Sequence, residues 1–145
     1  MSQSAIPRLV PHANEISLDA EVRSPIDVLR AQTGYWSELT SGEVTATVEA
    51  TVTTPGRVAY GFSFVVPAVD DYRYRLFLVE HGLDLYPAWI REDRADAHSL
   101  EVGDEATLYA RLGEIFRSQH TVKVLKSLRA LALEARPKKS ASGGA

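Results

Sequence analysis

The chain has 145 residues, of which 45% are hydrophobic, and its formal net charge is −3, so its size and composition are those of one compact domain. It contains no cysteine, which excludes disulfides, iron–sulfur clusters, Cys-ligated zinc and thiolate nucleophiles. Because no run of roughly 18 apolar residues occurs and the N-terminus lacks an apolar signal-peptide core, we expect no membrane contact and a cytoplasmic location.

The two ends of the chain differ in composition from its middle. Residues 1–14 contain two prolines and no periodic pattern, which predicts a flexible N-terminal arm. Residues 136–145 combine basic residues with serine and glycine and offer no apolar pattern to bury, which predicts a disordered basic tail. Between them, residues 15–135 are expected to form a single α+β domain.

The domain is predicted to begin with a strand followed by a helix. In residues 15–23, EISLDAEVR, apolar and polar side chains alternate, which is typical of a strand with one solvated face. Ser24 then provides a helix N-cap, and Pro25 suits the first helical position. Spacings of three and four predict a buried helical stripe that consists of Ile26, Leu29, Thr33, Trp36 and Leu39.

The clearest pattern is a β-hairpin over residues 43–66, in which alternation continues on both sides of Pro55 and Gly56. A two-residue loop would place Thr54 opposite Arg57 and mix the two faces. A loop of odd length, with Gly56 in the left-handed conformation, keeps the apolar residues together. We therefore predict the register that places Val52, Ala50, Val48 and Ala46 opposite Val58, Tyr60, Phe62 and Phe64.

A third strand is predicted over residues 72–81, after a turn at Asp70 and Asp71, where aspartate is favoured. Strict alternation would make each of its faces polar at one end and apolar at the other. One face would hold Tyr72, Tyr74, Leu76, Leu78 and Glu80, and the other Arg73, Arg75, Phe77, Val79 and His81. In a purely structural interpretation, Arg73 and Arg75 pair with acids on an adjacent strand.

A fourth strand, residues 83–90, contains Pro87, which cannot donate a ladder hydrogen bond and so predicts an edge strand. After a charged loop over residues 91–99, Asp104 and Ser118 begin two amphipathic helices. Their inward stripes are predicted to be Leu108, Tyr109, Leu112, Ile115 and Phe116, and Val122, Leu125, Leu128 and Ala132. The predicted fold class is α+β: an antiparallel four- to five-stranded sheet in β-α-β-β-β-β-α-α order, with helices packed on one face.

The sequence contains no motif for metal, nucleotide or covalent chemistry. Its histidines, His12, His81, His98 and His120, are scattered without metal-ligand spacing, and no glycine-rich phosphate loop occurs. Along a strand Glu80 and His81 point to opposite faces, so they do not form an acid–base pair. We therefore expect no metal, no cofactor and no catalytic residue.

Tyrosine, tryptophan and arginine are enriched at protein interfaces, and several lie on the last two predicted strands. They favour a non-enzymatic protein-interaction or assembly module that acts through an exposed sheet face or an edge strand. The expected partner is another protein or a second copy in a homo-oligomer. The interaction candidates are Tyr72, Arg73, Tyr74, Arg75, Tyr86 and Trp89, and the alternative is that the aromatic ones form a second layer of the core.

Two other functions stay open. A small-ligand or hydrolytic pocket between sheet and helices would be lined by His81 and Trp89, with Tyr72 and Tyr74 beside them. Residues 117–145 carry seven basic side chains and one acid, so nonspecific nucleic-acid binding would use a basic surface made of Lys123, Lys126 and Arg129. No aromatic residue interleaves these charges to stack on bases, and the structural alternative is a basic helix against an acidic body.

Overall fold

A five-stranded antiparallel sheet carries three α-helices on one of its faces, within residues 5–18 and 22–135 that the computed structural model describes. The elements are α1 (Pro25–Leu39), β1 (Thr45–Thr54), β2 (Arg57–Val66), β3 (Tyr72–His81), β4 (Ala88–Glu92), β5 (Leu100–Val102), α2 (Glu105–Phe116) and α3 (Gln119–Ala135). The strands pair in chain order as a meander. The predicted α+β class, antiparallel sheet and one-sided helical layer are confirmed.

The start of the chain differs from the strand predicted there. Residues 5–18 and 22–23 lie outside the helices and strands, and all side chains of residues 5–18 are exposed. Residues 19–21 of the predicted strand, and the predicted tail at 136–145, fall outside the described part of the chain. Among the described helices, none is both long enough and apolar enough to cross a membrane.

Among the described residues, the two outer strands of the sheet are β1 and β5. β4 pairs with β3 on one side and with β5 on the other, so the prediction that the strand containing Pro87 lies at an edge is wrong. Pro87 precedes Ala88, the first residue of β4, and its missing N–H therefore removes no ladder hydrogen bond. The sequence does not predict β5, because a strand of three residues is too short to show the alternation of apolar and polar side chains.

The β1–β2 hairpin has the predicted register, but its loop has the other length. Val52, Ala50, Val48 and Ala46 lie opposite Val58, Tyr60, Phe62 and Phe64. Thr54 nevertheless pairs with Arg57 across a two-residue loop in which Gly56 has a φ of 80°. An irregularity between Val52 and Thr54 adds one residue to β1 and restores the alignment of the apolar faces.

A β-bulge in β3 changes which face its side chains occupy. Phe77 pairs with Phe62 and Arg75 pairs with Ser63, so Leu76 has no partner residue on β2. Leu76 and Phe77 are both fully buried on the helix side, which strict alternation does not allow. The predicted faces are therefore wrong: the helix side holds Tyr72, Tyr74, Leu76, Phe77, Val79 and His81, and the other side Arg73, Arg75, Leu78 and Glu80.

Aromatic rings fill the centre of the core between the sheet and the helices. Phe62 stacks on Phe77 with 5.1 Å between ring centroids. Trp36 of α1 meets Phe64 and Phe116 edge-on at 4.9 and 5.1 Å, which links the first helix to β2 and to α2. The helices complete this core with Val28, Leu29, Leu108, Leu112, Ile115, Leu128 and Ala132.

Candidate interaction surfaces

The side of the sheet opposite the helices is called the open face below, because the helical core residues all pack on the other side. Polar and charged side chains predominate on it, which is typical of a solvated sheet face. They are Thr45, Thr47, Glu49, Thr51 and Thr53 of β1, Ala59, Gly61, Ser63 and Val65 of β2, Arg73, Arg75, Leu78 and Glu80 of β3, and Trp89 and Arg91 of β4.

Arg73 and Arg75 form ion pairs on the open face. The Arg75 Nε atom donates to Asp93 just after β4 at 3.1 Å, and Arg73 reaches across β2 to form an ion pair with Glu49 of β1. The Arg75 stem also lies over Gly61, where an added Cβ would be 3.2 Å from its Cδ atom. All four charged side chains are at least 44% exposed, so the pairs neutralise the face and contribute little to stability.

Trp89 belongs to a second polar cluster on the open face. The Arg57 guanidinium lies 4.8 Å from the centre of the Trp89 ring and donates to Glu80 Oε1 at 3.0 and 2.7 Å. The Thr53 hydroxyl donates to the other oxygen of Glu80 at 3.2 Å. Beside this cluster is a concave region of about 380 Å³, into which exposed Arg91 also extends.

Tyr72 and Tyr74 lie on the helix side, so the predicted cluster of tyrosines and arginines is divided between two faces. The Tyr74 hydroxyl is 3.2 Å from Nε2 of His120 at the start of α3, and burial raises the pKa of Tyr74. Tyr72 is 46% exposed at the end of the strand. Regular alternation over residues 72–75, before the bulge at Leu76, places the two tyrosines on the opposite face from Arg73 and Arg75.

His81 is a buried core histidine with both ring nitrogens in hydrogen bonds. It is 4% exposed, its Nδ1 donates to the carbonyl oxygen of Gly82 at 2.6 Å, and its Nε2 forms a hydrogen bond with the Tyr60 hydroxyl at 3.0 Å. Burial raises the pKa of Tyr60, which keeps that hydroxyl protonated. Trp89 lies on the opposite face of the sheet, so the two candidate pocket residues do not line one pocket.

Tyr86 connects the segment before α1 to the end of the sheet. Its hydroxyl donates to the carbonyl oxygen of Arg23 at 2.9 Å, and the Arg23 N–H donates to Glu105 at the same distance. Burial, reinforced by the Glu105 carboxylate, raises the pKa of Tyr86 to about 12. Tyr86 therefore occupies an internal contact between distant segments.

The outer edge of β1 is the longest free edge of the sheet, at ten residues. Within the described chain, no backbone hydrogen bond from another segment reaches this edge. The side chains from Glu49 to Thr54 are exposed, including Val52 at 73%. Glu49 is the only charged residue in β1, and the strand contains neither lysine nor proline.

A groove on the helical side is a surface that the sequence analysis missed. It has a volume of about 490 Å³ between the three helices, and Trp36, Leu112 and Leu125 form part of its lining. Leu39, Tyr109 and Val122 lie at its border and are 66%, 42% and 41% exposed, so their assignment to the core is wrong. Helical periodicity gives no signal for this difference, because core and groove positions share one helix face.

The basic residues of α3 do not form one free surface. Arg129 donates twice to Glu43, at 3.1 and 2.9 Å, and the Glu43 side chain is only 8% exposed. Lys123 and Lys126 are exposed. The predicted basic surface therefore includes one residue that holds α3 against the loop before β1, which matches the structural alternative at that position.

The described residues include no group of three or more histidine and acidic side chains arranged to hold a metal ion. Comparison with known proteins finds no family model, no curated protein and no solved structure that matches this chain. Its function is therefore argued from the geometry of its own surfaces.

Proposed function

We propose that this protein is a non-enzymatic interaction and assembly module that binds its partner through the outer edge of β1. The observation that supports this most directly is the length of the free edge, ten residues whose outward-facing backbone groups have no strand partner within the described chain. An edge strand presents alternate N–H and C=O groups outward, and a second strand can satisfy them by joining the sheet.

The composition of β1 favours pairing. Proteins protect free edges with lysine, proline, inward-pointing charges or very short strands. The other edge, β5, follows that rule at three residues, whereas β1 is long and rich in threonine, valine and alanine. The one acid of β1, Glu49, is already neutralised by Arg73, so it does not repel an approaching strand.

The open face contributes a polar surface next to this edge. Arg57, Arg73 and Arg75 are engaged with Glu80, Glu49 and Asp93, so a partner that extends beyond the edge would meet these ion pairs and threonine hydroxyls. Such a surface is typical of the polar rim of an interface. We therefore assign the backbone pairing to β1 and a secondary, polar contact to the open face.

The alternative functions have weaker support. The pocket hypothesis requires His81 and Trp89 to converge, and these side chains point to opposite faces of the sheet. The nucleic-acid hypothesis loses Arg129, whose guanidinium is bound to Glu43. A binding mode that uses the β1 backbone needs neither arrangement.

Capture of partners by full-length variants tests this proposal. Ala50→Lys introduces a cation at the exposed edge of β1, and Ala110→Lys makes the same change at an exposed position on α2 as the matched control. We expect Ala50→Lys to lose the proteins that the wild type captures from a host extract, and Ala110→Lys to retain them. Equal capture by the two variants would show that β1 is not the binding edge.

Hydrogen exchange locates the contact on the protein itself. Amides on a free edge exchange quickly, and pairing with a partner strand protects them. Addition of the captured partner should therefore slow exchange in β1 more than in β5. Protection confined to the helices or to β5 would contradict the assignment of β1.

A further inference from the structure

We infer that the strand that joins β1 is β1 of a second copy, in an antiparallel pair related by a two-fold axis at Thr51. This inference rests on the proposed function of the β1 edge and adds the partner and the register. In such a pair each copy presents the same surface to the other, so the strand must be complementary to itself when its direction is reversed.

The side-chain alternation of β1 restricts the register. Opposed residues in an antiparallel pair point to the same side of the sheet. When the helices of the two copies lie on the same side of the joined sheet, each β1 residue that points toward the helices must face a β1 residue of the second copy that also points toward the helices. A two-fold axis that passes through a residue satisfies this condition, because residues equally distant from it have the same parity.

Charge excludes one of these registers, and exposure favours another. An axis at Glu49 would oppose two carboxylates, which is unfavourable between strands. The side chains of residues 45–48 are partly covered and α1 packs against β1, whereas Glu49 to Thr54 are exposed. Thr54 follows the irregularity after Val52 and pairs with Arg57, so its side chain has the face opposite to the one that alternation gives. Thr51 is the centre of the remaining exposed residues, 49–53.

The register centred on Thr51 is complementary at every position from Glu49 to Thr53. Thr51 faces its equivalent on the open face, where threonine pairs are favourable. Val52, which is 73% exposed in the single chain, faces Ala50 of the second copy on the helix side. Glu49 faces Thr53 of the second copy, so no like charges oppose each other.

This arrangement also limits the size of the assembly. Each copy has one long free edge, and pairing through β1 occupies it in both copies. The product is a ten-stranded sheet that ends in two short β5 strands. We therefore infer a closed dimer rather than a fibre, with one helical layer along each half of the sheet.

A charge exchange at the axis tests the partner and the register together. Thr51→Glu and Thr51→Lys each place like charges opposite each other in a homodimer and opposite charges in a mixed dimer. Light scattering should give a dimer for the wild type and monomers for both variants, and native mass spectrometry of their mixture should show the heterodimer. Circular dichroism confirms that each variant is folded.

A single cysteine tests the geometry of the axis, because the chain has no cysteine of its own. Opposed Cα atoms in an antiparallel pair are about 4.5 to 5.5 Å apart, within the range of a disulfide. Under an added oxidant that accepts the two electrons and two protons released, Thr51→Cys should cross-link to its copy. Val48→Cys, which faces Thr54, and Ala110→Cys on α2 should stay at background.

The outcomes separate this inference from the proposed function. A wild type that is monomeric at all concentrations, or that forms larger assemblies, overturns the β1 dimer. A monomer whose capture of another protein is lost in Ala50→Lys also overturns the dimer but supports the binding edge. Dimeric Thr51→Glu and Thr51→Lys variants, or equal cross-linking at Val48→Cys, overturn the register.

Discussion

Thr40 forms the corner between α1 and β1 with a single buried hydroxyl group. The hydroxyl oxygen lies 2.9 Å from the Trp36 carbonyl oxygen and 2.8 Å from that of Val44, and it accepts the Val44 N–H at 3.0 Å. Thr40 is 2% exposed, so no solvent molecule replaces these contacts readily. One side chain therefore satisfies the backbone where the helix ends and the sheet begins.

We expect Thr40→Val to lower the free energy of unfolding by about 2 kcal/mol, because it leaves the buried Val44 N–H and C=O groups without their partner. Urea unfolding measures the change. Thr40→Ser keeps the hydroxyl and should retain most of the stability. If Thr40→Val were as stable as Thr40→Ser, the hydroxyl would have no role at this corner.

We expect the free energy of unfolding to fall at alkaline pH because of the Tyr86 phenol. Its pKa is raised from 10.0 to about 12 in the folded protein, so folding favours the protonated phenol. The corresponding stabilisation is complete below pH 10 and is lost as the pH rises through about 12. Urea unfolding over this range should show a smaller fall for Tyr86→Phe than for the wild type.

The matched control for this measurement is Tyr35→Phe, because Tyr35 is 63% exposed on α1. Tyr35→Phe should keep the pH dependence of the wild type. An unchanged fall in Tyr86→Phe would contradict the raised pKa that burial gives the Tyr86 phenol in the folded protein.

The bulge in β3 determines the orientation of a whole element. Leu76 is the inserted residue, since Arg75 and Phe77 pair with consecutive residues of β2. The side chains of Leu76 and Phe77 both enter the core. From Phe77 to the end of β3, each side chain therefore points to the side of the sheet opposite to the one that unbroken alternation predicts. The helix side of β3 is thereby continuous and apolar at its centre.

Deletions in β3 test this geometry. Removal of Leu76 leaves Arg75 on the open face and Phe77 in the core, in regular alternation. We expect that variant to fold with a loss of about 3 kcal/mol, comparable with truncation of a buried leucine. Removal of half-buried Leu78 should cost more, because either Phe77 moves to the open face or the bulge must form elsewhere.

Thermal and urea unfolding of the two deletion variants gives the comparison. The expected order is unusual, since the fully buried residue is the more dispensable of the two leucines. A greater loss for the Leu76 deletion than for the Leu78 deletion would mean that the bulge is not the source of the orientation.

At the scale of the whole molecule, one hydrophobic cluster connects the sheet with the three helices. Trp36 lies within it, whereas Trp89 lies on the open face against Arg57. The two sides of the sheet therefore differ in what they contribute. The helix side contains the packed core, and the open face and the β1 edge contain exposed polar groups. Loss of any helix would expose the centre of the shared core.

This shared core predicts cooperative unfolding. In Trp89→Phe, Trp36 is the remaining tryptophan, so fluorescence reports on the core alone. Its urea transition should coincide with the transition seen by far-ultraviolet circular dichroism, as two-state unfolding requires. A fluorescence change that precedes the loss of secondary structure would show that α1 separates from the sheet before the rest unfolds.

Local chemistry in the sequence is sufficient for several parts of this fold. Ser24 caps α1 and Asp104 caps α2 as the residue types predict, because a cap depends on the side chain and the next three residues. The hairpin register also follows from local alternation, since one displaced residue would turn an apolar face to solvent. The interaction hypothesis was drawn from residue types, and the β1 edge was not among the segments that it named.

The tertiary structure decided the features that depend on more than one element. The prediction for Pro87 failed because an edge is defined by whether another strand pairs beside it, and β5 carried no sequence signal. The bulge opposite Phe62 determines which side chains of β3 enter the core. The exposure of Leu39 depends on the groove that the spacing of the three helices leaves between them. Sequence periodicity determines which residues share a face, but only packing determines what that face meets.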